Sequence, residues 1–182
     1  MDNDDVLVEN ALYEVARVLN KNKKIGFIYS DEDKLGVDGK RCDPHFKPDY
    51  SPDTLFSMNY ICHLAVIRTD LVRKIGGFRG EYNGAQDYDL FLRVLEETDK
   101  VYHIPKILYH WRMSEGSTAM NLENKDYAED AGKKAIKDAI KRRGINATVE
   151  QDDVSKYYSV KYLLKKQPLV SIMIPTKDHA DI

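Results

Sequence analysis

Apolar positions recur at helical spacing from Val6 to Leu19, where Leu7, Ala11, Leu12, Val15, Val18 and Leu19 form one stripe. Lys23 and Lys24 then lead into a short apolar run, Ile25 to Tyr29, of strand length. Residues 30–50 are rich in Asp, Gly and Pro and read as a long loop. Ser51-Pro52-Asp53 is a helix start, with a capping serine ahead of a proline at the first helical position. His63 to Arg68 predicts a strand, and Thr69-Asp70 predicts the cap of a short helix that stops at Gly76-Gly77. A further helix is expected over Asp87 to Glu97, then two short strands on either side of Pro105, Val101 to Ile104 and Ile107 to Trp111. Leu122 to Arg143 reads as a long amphipathic helix ended by Gly144. Ala147 to Glu150 and Tyr157 to Tyr162 alternate as strands do, and Leu169 to Pro175 reads as a β-branched apolar strand. Helices alternating with strands predict an α/β domain built on a mixed sheet flanked by helices.

Composition narrows the function classes. The chain has 182 residues, 32% charged and 42% hydrophobic, which suffices to bury a core. A net charge of -2 argues against sequence-independent binding to nucleic acid, which needs a basic footprint. The local cluster Lys133, Lys134, Lys137, Lys141, Arg142 and Arg143 fits a solvated helix face with cations near the helix C-terminus. No apolar run approaches the ~20 residues of a membrane span. The start of the chain is acidic, unlike a secretion signal. Cys42 and Cys62 share no metal-like spacing, and reduced thiols in a cytoplasmic protein are expected.

Four groups of residues carry candidate chemistry. Asp2-Asn3-Asp4-Asp5 reads either as capping residues ahead of a helix or as an Asp-x-Asp pair, Asp2 and Asp4, that binds a divalent cation carrying a diphosphate. Hard oxygen ligands of this kind suit Mg²⁺ or Mn²⁺. Ser30-Asp31-Glu32-Asp33 reads as a solvated acidic turn, the alternative being a role in shaping the acceptor side of a cleft. In Gly84-Ala85-Gln86-Asp87-Tyr88-Asp89, Asp87 either offsets a helix dipole or acts as a general base at the mouth of a cleft. His110, between Tyr109 and Trp111, reads as a half-buried strand histidine, or as a ligand to the same ion as Asp4. Trp111 and Tyr109 read as core or cleft wall, with a sugar-stacking platform as the alternative.

Taken in order, DNDDVLVENALYEVA, IYSDEDK, FKPDYSPDTLFSMNYICHLAVIR, GGF, GAQDYDLFLR, HIPKILYHWR and GSTA resemble the family 2 glycosyltransferases of GT-A fold that build bacterial surface polysaccharides. The resemblance implies an inverting, metal-dependent transfer from a nucleotide-diphosphate sugar to a hydroxyl of a glycan or lipid-linked acceptor. It implies Asp4 as a metal ligand, Asp2 near the nucleotide ribose, His110 completing the metal site and Asp87 as the base. Gln86 stands where many members carry Glu. It further implies a fragment of a tandem-domain enzyme, with residues 1–166 the metal- and acceptor-side half of a partial GT-A domain. Residues 167–182 would then be a linker and the first strand of a second, truncated domain. On that reading the isolated chain has little activity, self-associates through open sheet edges and lies in the cytoplasm or peripherally at the inner face of the membrane. Two other classes compete: a non-catalytic carbohydrate-binding or assembly module derived from such an enzyme, and a metal-dependent phosphohydrolase.

Overall fold

The computed structural model describes residues 3–113, 123–175 and 177. Among these residues, seven strands and five α-helices run in the order β1 (Val6–Leu7), α1 (Ala11–Lys21), β2 (Phe27–Leu35), β3 (Arg41–His45), α2 (Pro52–Ser57), β4 (Ala65–Ile67), α3 (Thr69–Lys74), α4 (Gln86–Val94), β5 (Val101–Arg112), α5 (Glu123–Arg142), β6 (Ala147–Gln151) and β7 (Tyr158–Tyr162). The main sheet has the order β1-β5-β2-β3, and β4 adds to the N-terminal half of β2 on the side away from β5. β2 and β5 are parallel, and the other pairs are antiparallel, so the sheet is mixed as expected. β6 and β7 form a separate antiparallel hairpin.

β2 is buried on both faces, which explains its lack of alternation. Phe27 and Tyr29 pack with α2, α4 and α5, whereas Ile28 packs with Ile104 and Leu108 against Ala11, Val15 and Val18 of α1. α4 lies inside the first of these layers, so its residues Tyr88 to Val94 are all buried. Phe91 meets Phe27 edge to face at 5.4 Å. The largest layer is therefore the one that carries the N-terminus of α4.

Five expectations are corrected. Val6 and Leu7 do not open a helix but pair with Tyr109 and His110 of β5, and α1 begins only at Ala11. The acidic run Ser30 to Asp33 is not a solvated turn: it continues β2 and all four residues are buried. Val101 to Arg112 is one strand, not two. Pro105 lacks an N–H to give to the ladder, and the register slips there, from Ser30 opposite Ile104 to Asp31 opposite Ile107. Leu169 to Pro175 forms no strand with the described residues, and Leu169, Val170, Ile172, Met173 and Ile174 are exposed. α3 starts without a side-chain cap, because Asp70 is held instead by both Nε and Nη2 of Arg68.

Candidate functional site

The N-terminus of α4 opens into a pocket of roughly 500 Å³ lined by five segments: the end of α2, residues 84–88, the end of β5, α5 and the turn of the β6–β7 hairpin. Gly84 is required where the chain enters it. Its φ is +88°, and a Cβ there would lie 2.4 Å from the Tyr127 ring and 3.1 Å from Ala128.

Asp87 is half-buried at this entrance, and its two oxygens are held separately. The backbone N–H of Tyr88 donates to Oδ1 (2.7 Å) and Asn59 Nδ2 donates to Oδ2 (2.9 Å). A carboxylate in the first turn of a helix is also favoured by the helix dipole. Asp89, two residues on, has a different role. It is fully buried between Arg79 and Arg93, with Arg93 Nε donating to its Oδ2 (2.9 Å). Arg93 also donates to the carbonyls of Ile75 (2.9 Å) and Gly77 (2.7 Å), so this carboxylate ties α4 to the Gly76-Gly77 turn.

Asn59 was not singled out from the sequence, and its position has an identifiable origin. It belongs to the irregular stretch 58–64, which is anchored from below by β2. The N–H of His63 donates to Glu32 Oε2 (2.9 Å), and the fully buried Lys47 ammonium donates to the carbonyls of Ile61 (2.5 Å) and His63. Lys47 Nζ lies 3.5 Å from Glu32. His63 in turn stacks on Tyr109, with ring centroids 4.6 Å apart, and tilts against Trp111 at 6.2 Å. The buried acidic strand thus supports both Asn59, which orients Asp87, and Trp111, which lines the pocket.

Burial alone would raise the Glu32 carboxyl, but the His45 and His63 imidazoles beside it and the charge of Lys47 outweigh it and hold it at about 2. The same burial lowers the Lys47 ammonium below its ordinary value. The folded carboxylate keeps its charge more firmly than the unfolded one. Its contribution is therefore complete above the ordinary value of 4.5 and is lost as pH falls from there toward about 2. Urea midpoints measured at about pH 6 and about pH 3 should show this acid loss, and Glu32→Gln should flatten it. An identical acid loss in that variant would remove Glu32 from the account.

The remaining expected site residues are placed as follows. Asp2 lies outside the described residues. Asp4 is exposed, and its backbone carbonyl accepts from Arg112 Nε (2.6 Å). The buried member of that acidic run is Asp5, which accepts from the N–H of Arg112 (2.8 Å) and from the Tyr109 hydroxyl and so ties β1 to β5. Nδ1 of His110 is hydrogen-bonded to Asp33, whose other oxygen accepts from Arg41 Nε (2.6 Å). Val6 sits opposite His110, which puts Asp4 two residues from His110's partner on the neighbouring strand. Among the described residues, no three His, Cys, Asp or Glu side chains are grouped so as to hold a metal. Nor, among them, is any helix long and apolar enough to cross a membrane.

No family model matches the chain. It is 41% identical over 185 residues to the uncharacterized protein y4gI of Sinorhizobium fredii, covering 100% of this chain and 20% of that one. It is 37% identical over 179 residues to the O-antigen biosynthesis protein RfbC of Myxococcus xanthus, covering 98% of this chain and 14% of that one. Hyaluronan synthase of Pasteurella multocida is 24% identical over 172 residues, 91% of this chain and 17% of the relative. The chain therefore spans a fifth or less of the length of these relatives. Among solved structures, S. aureus TarS 1–349 in complex with UDP-GlcNAc superposes with a TM-score of 0.48 at 11% identity, over 95% of this chain and 74% of that one.

Proposed function

We infer that this chain is a segment of a family 2 glycosyltransferase of bacterial polysaccharide synthesis, and that it supplies the metal- and acceptor-facing side of the active site. The reading rests on likeness along nearly the whole chain to an O-antigen biosynthesis protein. The structural observation that carries it is Asp87, one oxygen held by Asn59 and the other by backbone, at the entrance of a pocket of saccharide size.

In this reading the acceptor hydroxyl sits against Asp87 and gives up its proton as its oxygen attacks the anomeric carbon of the donor sugar. The bond from that carbon to the diphosphate breaks on the opposite side, so the anomeric configuration inverts and a nucleoside diphosphate leaves. Asn59 keeps Asp87 in one orientation, so little reorganisation is needed when the hydroxyl arrives.

The residues present fit a divalent cation in part. Asp4 offers an exposed carboxylate, and His110 is oriented through Nδ1 by Asp33, the arrangement that usually directs a metal-ligating imidazole. Asp4 and His110 would then hold Mn²⁺ or Mg²⁺ with Asp2 nearer the nucleotide. When bound, such an ion neutralises charge on a departing diphosphate. Residues 1–166 form the transferase portion in this account, and residues 167–182 lead into a second domain of the same kind.

The test is transfer by the enzyme that contains this segment, with and without chelator. Excess chelator should abolish transfer and Mn²⁺ should restore it. His110→Ala should raise the Mn²⁺ needed for half-maximal rate by about tenfold or more. Full turnover in chelator would contradict the metal assignment, and no transfer from any nucleotide sugar would contradict the function.

A further inference from the structure

The pocket beyond Asp87 has a composition that discriminates between saccharides. Trp111, the one tryptophan of the chain, lines it together with Tyr127 and Tyr157. These tyrosines are 47% and 53% exposed, so their rings are open to a ligand. Two carboxylates, Asp87 and Glu129, face the same space. Lys156 is the one cation among the described lining residues, and it is already paired with Glu129 at 3.6 Å. No arginine lines the pocket among the described residues.

The wall that carries Lys156 and Tyr157 is rigidly mounted. The Tyr158 hydroxyl donates to the carbonyl of Glu129 (2.8 Å), and a Cβ at Gly132 would lie 2.3 Å from that hydroxyl. Gln151 Nε2 donates to Glu129 Oε2 (3.0 Å), and at the far end of the hairpin the Tyr162 hydroxyl donates to Asp53 (2.7 Å). The β6–β7 hairpin is thereby fixed to both α5 and α2, and its turn is held beside the site.

We propose that the β6–β7 hairpin turn and Trp111 form the acceptor subsite, and that the subsite takes an uncharged pyranose and rejects a uronate. This inference rests on the transferase reading and adds the acceptor class to it. Aromatic walls suit the apolar faces of a sugar ring, and a few polar groups fix its orientation. A uronate needs an unpaired guanidinium or ammonium to replace its water, and the described lining provides none. Asp87, which no cation pairs among the described lining residues, would add repulsion.

The emission of Trp111 reports on the site without interference from other tryptophans. The probes are methyl glucoside, methyl N-acetylglucosaminide and methyl glucuronide, titrated into the 182-residue chain. At least one neutral glycoside should change the emission saturably, with half-saturation about tenfold or more below that of the glucuronide. Tyr157→Ala should weaken this binding several-fold with an unchanged circular dichroism spectrum, since its ring is exposed. Glu129→Gln should narrow the gap to the glucuronide. Equal or tighter binding of the glucuronide, a silent Trp111 with every glycoside, or an unaffected Tyr157→Ala variant would each overturn the proposal. Should the whole enzyme transfer sugar while Trp111 stays silent, this subsite falls and the transferase reading stands. Should the glycosides bind while no transfer occurs, the subsite stands and the transferase reading falls.

Discussion

Asp89→Ala should destabilise the 182-residue chain by about 3–5 kcal/mol, the usual cost of removing one partner from a buried ion pair. The carboxylate is fully buried, and Arg93 is almost as inaccessible, so deletion strands a guanidinium that water cannot reach. Burial acts to raise the Asp89 carboxyl, but hydrogen bonds and charge from Arg79 and Arg93 prevail and lower it. Arg93 also fastens the carbonyls of Ile75 and Gly77, so the loss should loosen the turn after α3 as well as α4 itself. The double variant Asp89→Ala, Arg93→Met should recover part of the loss, because the stranded charge is gone. Urea denaturation measures both. A cost below about 1 kcal/mol for the single variant would mean that the pair is solvated, contrary to its geometry.

Asp87→Asn should have the opposite profile. Removing a general base typically lowers turnover by about 10²–10⁴-fold, and that loss is expected for sugar transfer by the enzyme carrying this segment. Stability should change by about 1 kcal/mol, the worth of one hydrogen bond, since the asparagine oxygen can still accept from the Tyr88 N–H while its amide nitrogen replaces the oxygen that accepted from Asn59. Affinity for the acceptor should be kept, because the aromatic walls are untouched. Loss of acceptor affinity in proportion to rate would instead make Asp87 a binding group. The two variants should therefore differ in kind, Asp87→Asn losing turnover and Asp89→Ala losing stability.

The difference between Asp87 and Asp89 was only half legible in the sequence. The helix start, its apolar face and Asp87 near a cleft follow from local pattern and from the family resemblance. The arginines that capture Asp89 include Arg79 from outside the helix, and no periodicity indicates such a partner. The same limit explains β2. Ser30 to Asp33 are polar enough to read as a turn, yet each carboxylate finds a partner far along the chain. Asp33 meets His110, 77 residues on, Asp31 accepts from His103, 72 residues on, and Glu32 accepts from the N–H of His63, 31 residues on. Burial of charge depends on such distant partners, so local composition is a poor guide to it. Some local signals hold. Ser51 Oγ accepts from the Thr54 N–H (3.4 Å) at the start of α2. Gly144, with φ +64°, lies just beyond α5, and the β6–β7 hairpin forms nearly where its alternation begins and ends. Trp111 stands at the pocket as the wall residue its sequence context predicted, with His63 tilted against its ring.

The most direct measurement is mass spectrometry of a saccharide acceptor incubated with nucleotide sugars and the enzyme that contains this segment, beside its Asp87→Asn variant. The acceptor should gain one glycosyl unit, one nucleoside diphosphate should be released for each unit gained, and both should fall together in the variant. Release of nucleotide with no gain by the acceptor, or equal transfer by the variant, would contradict it.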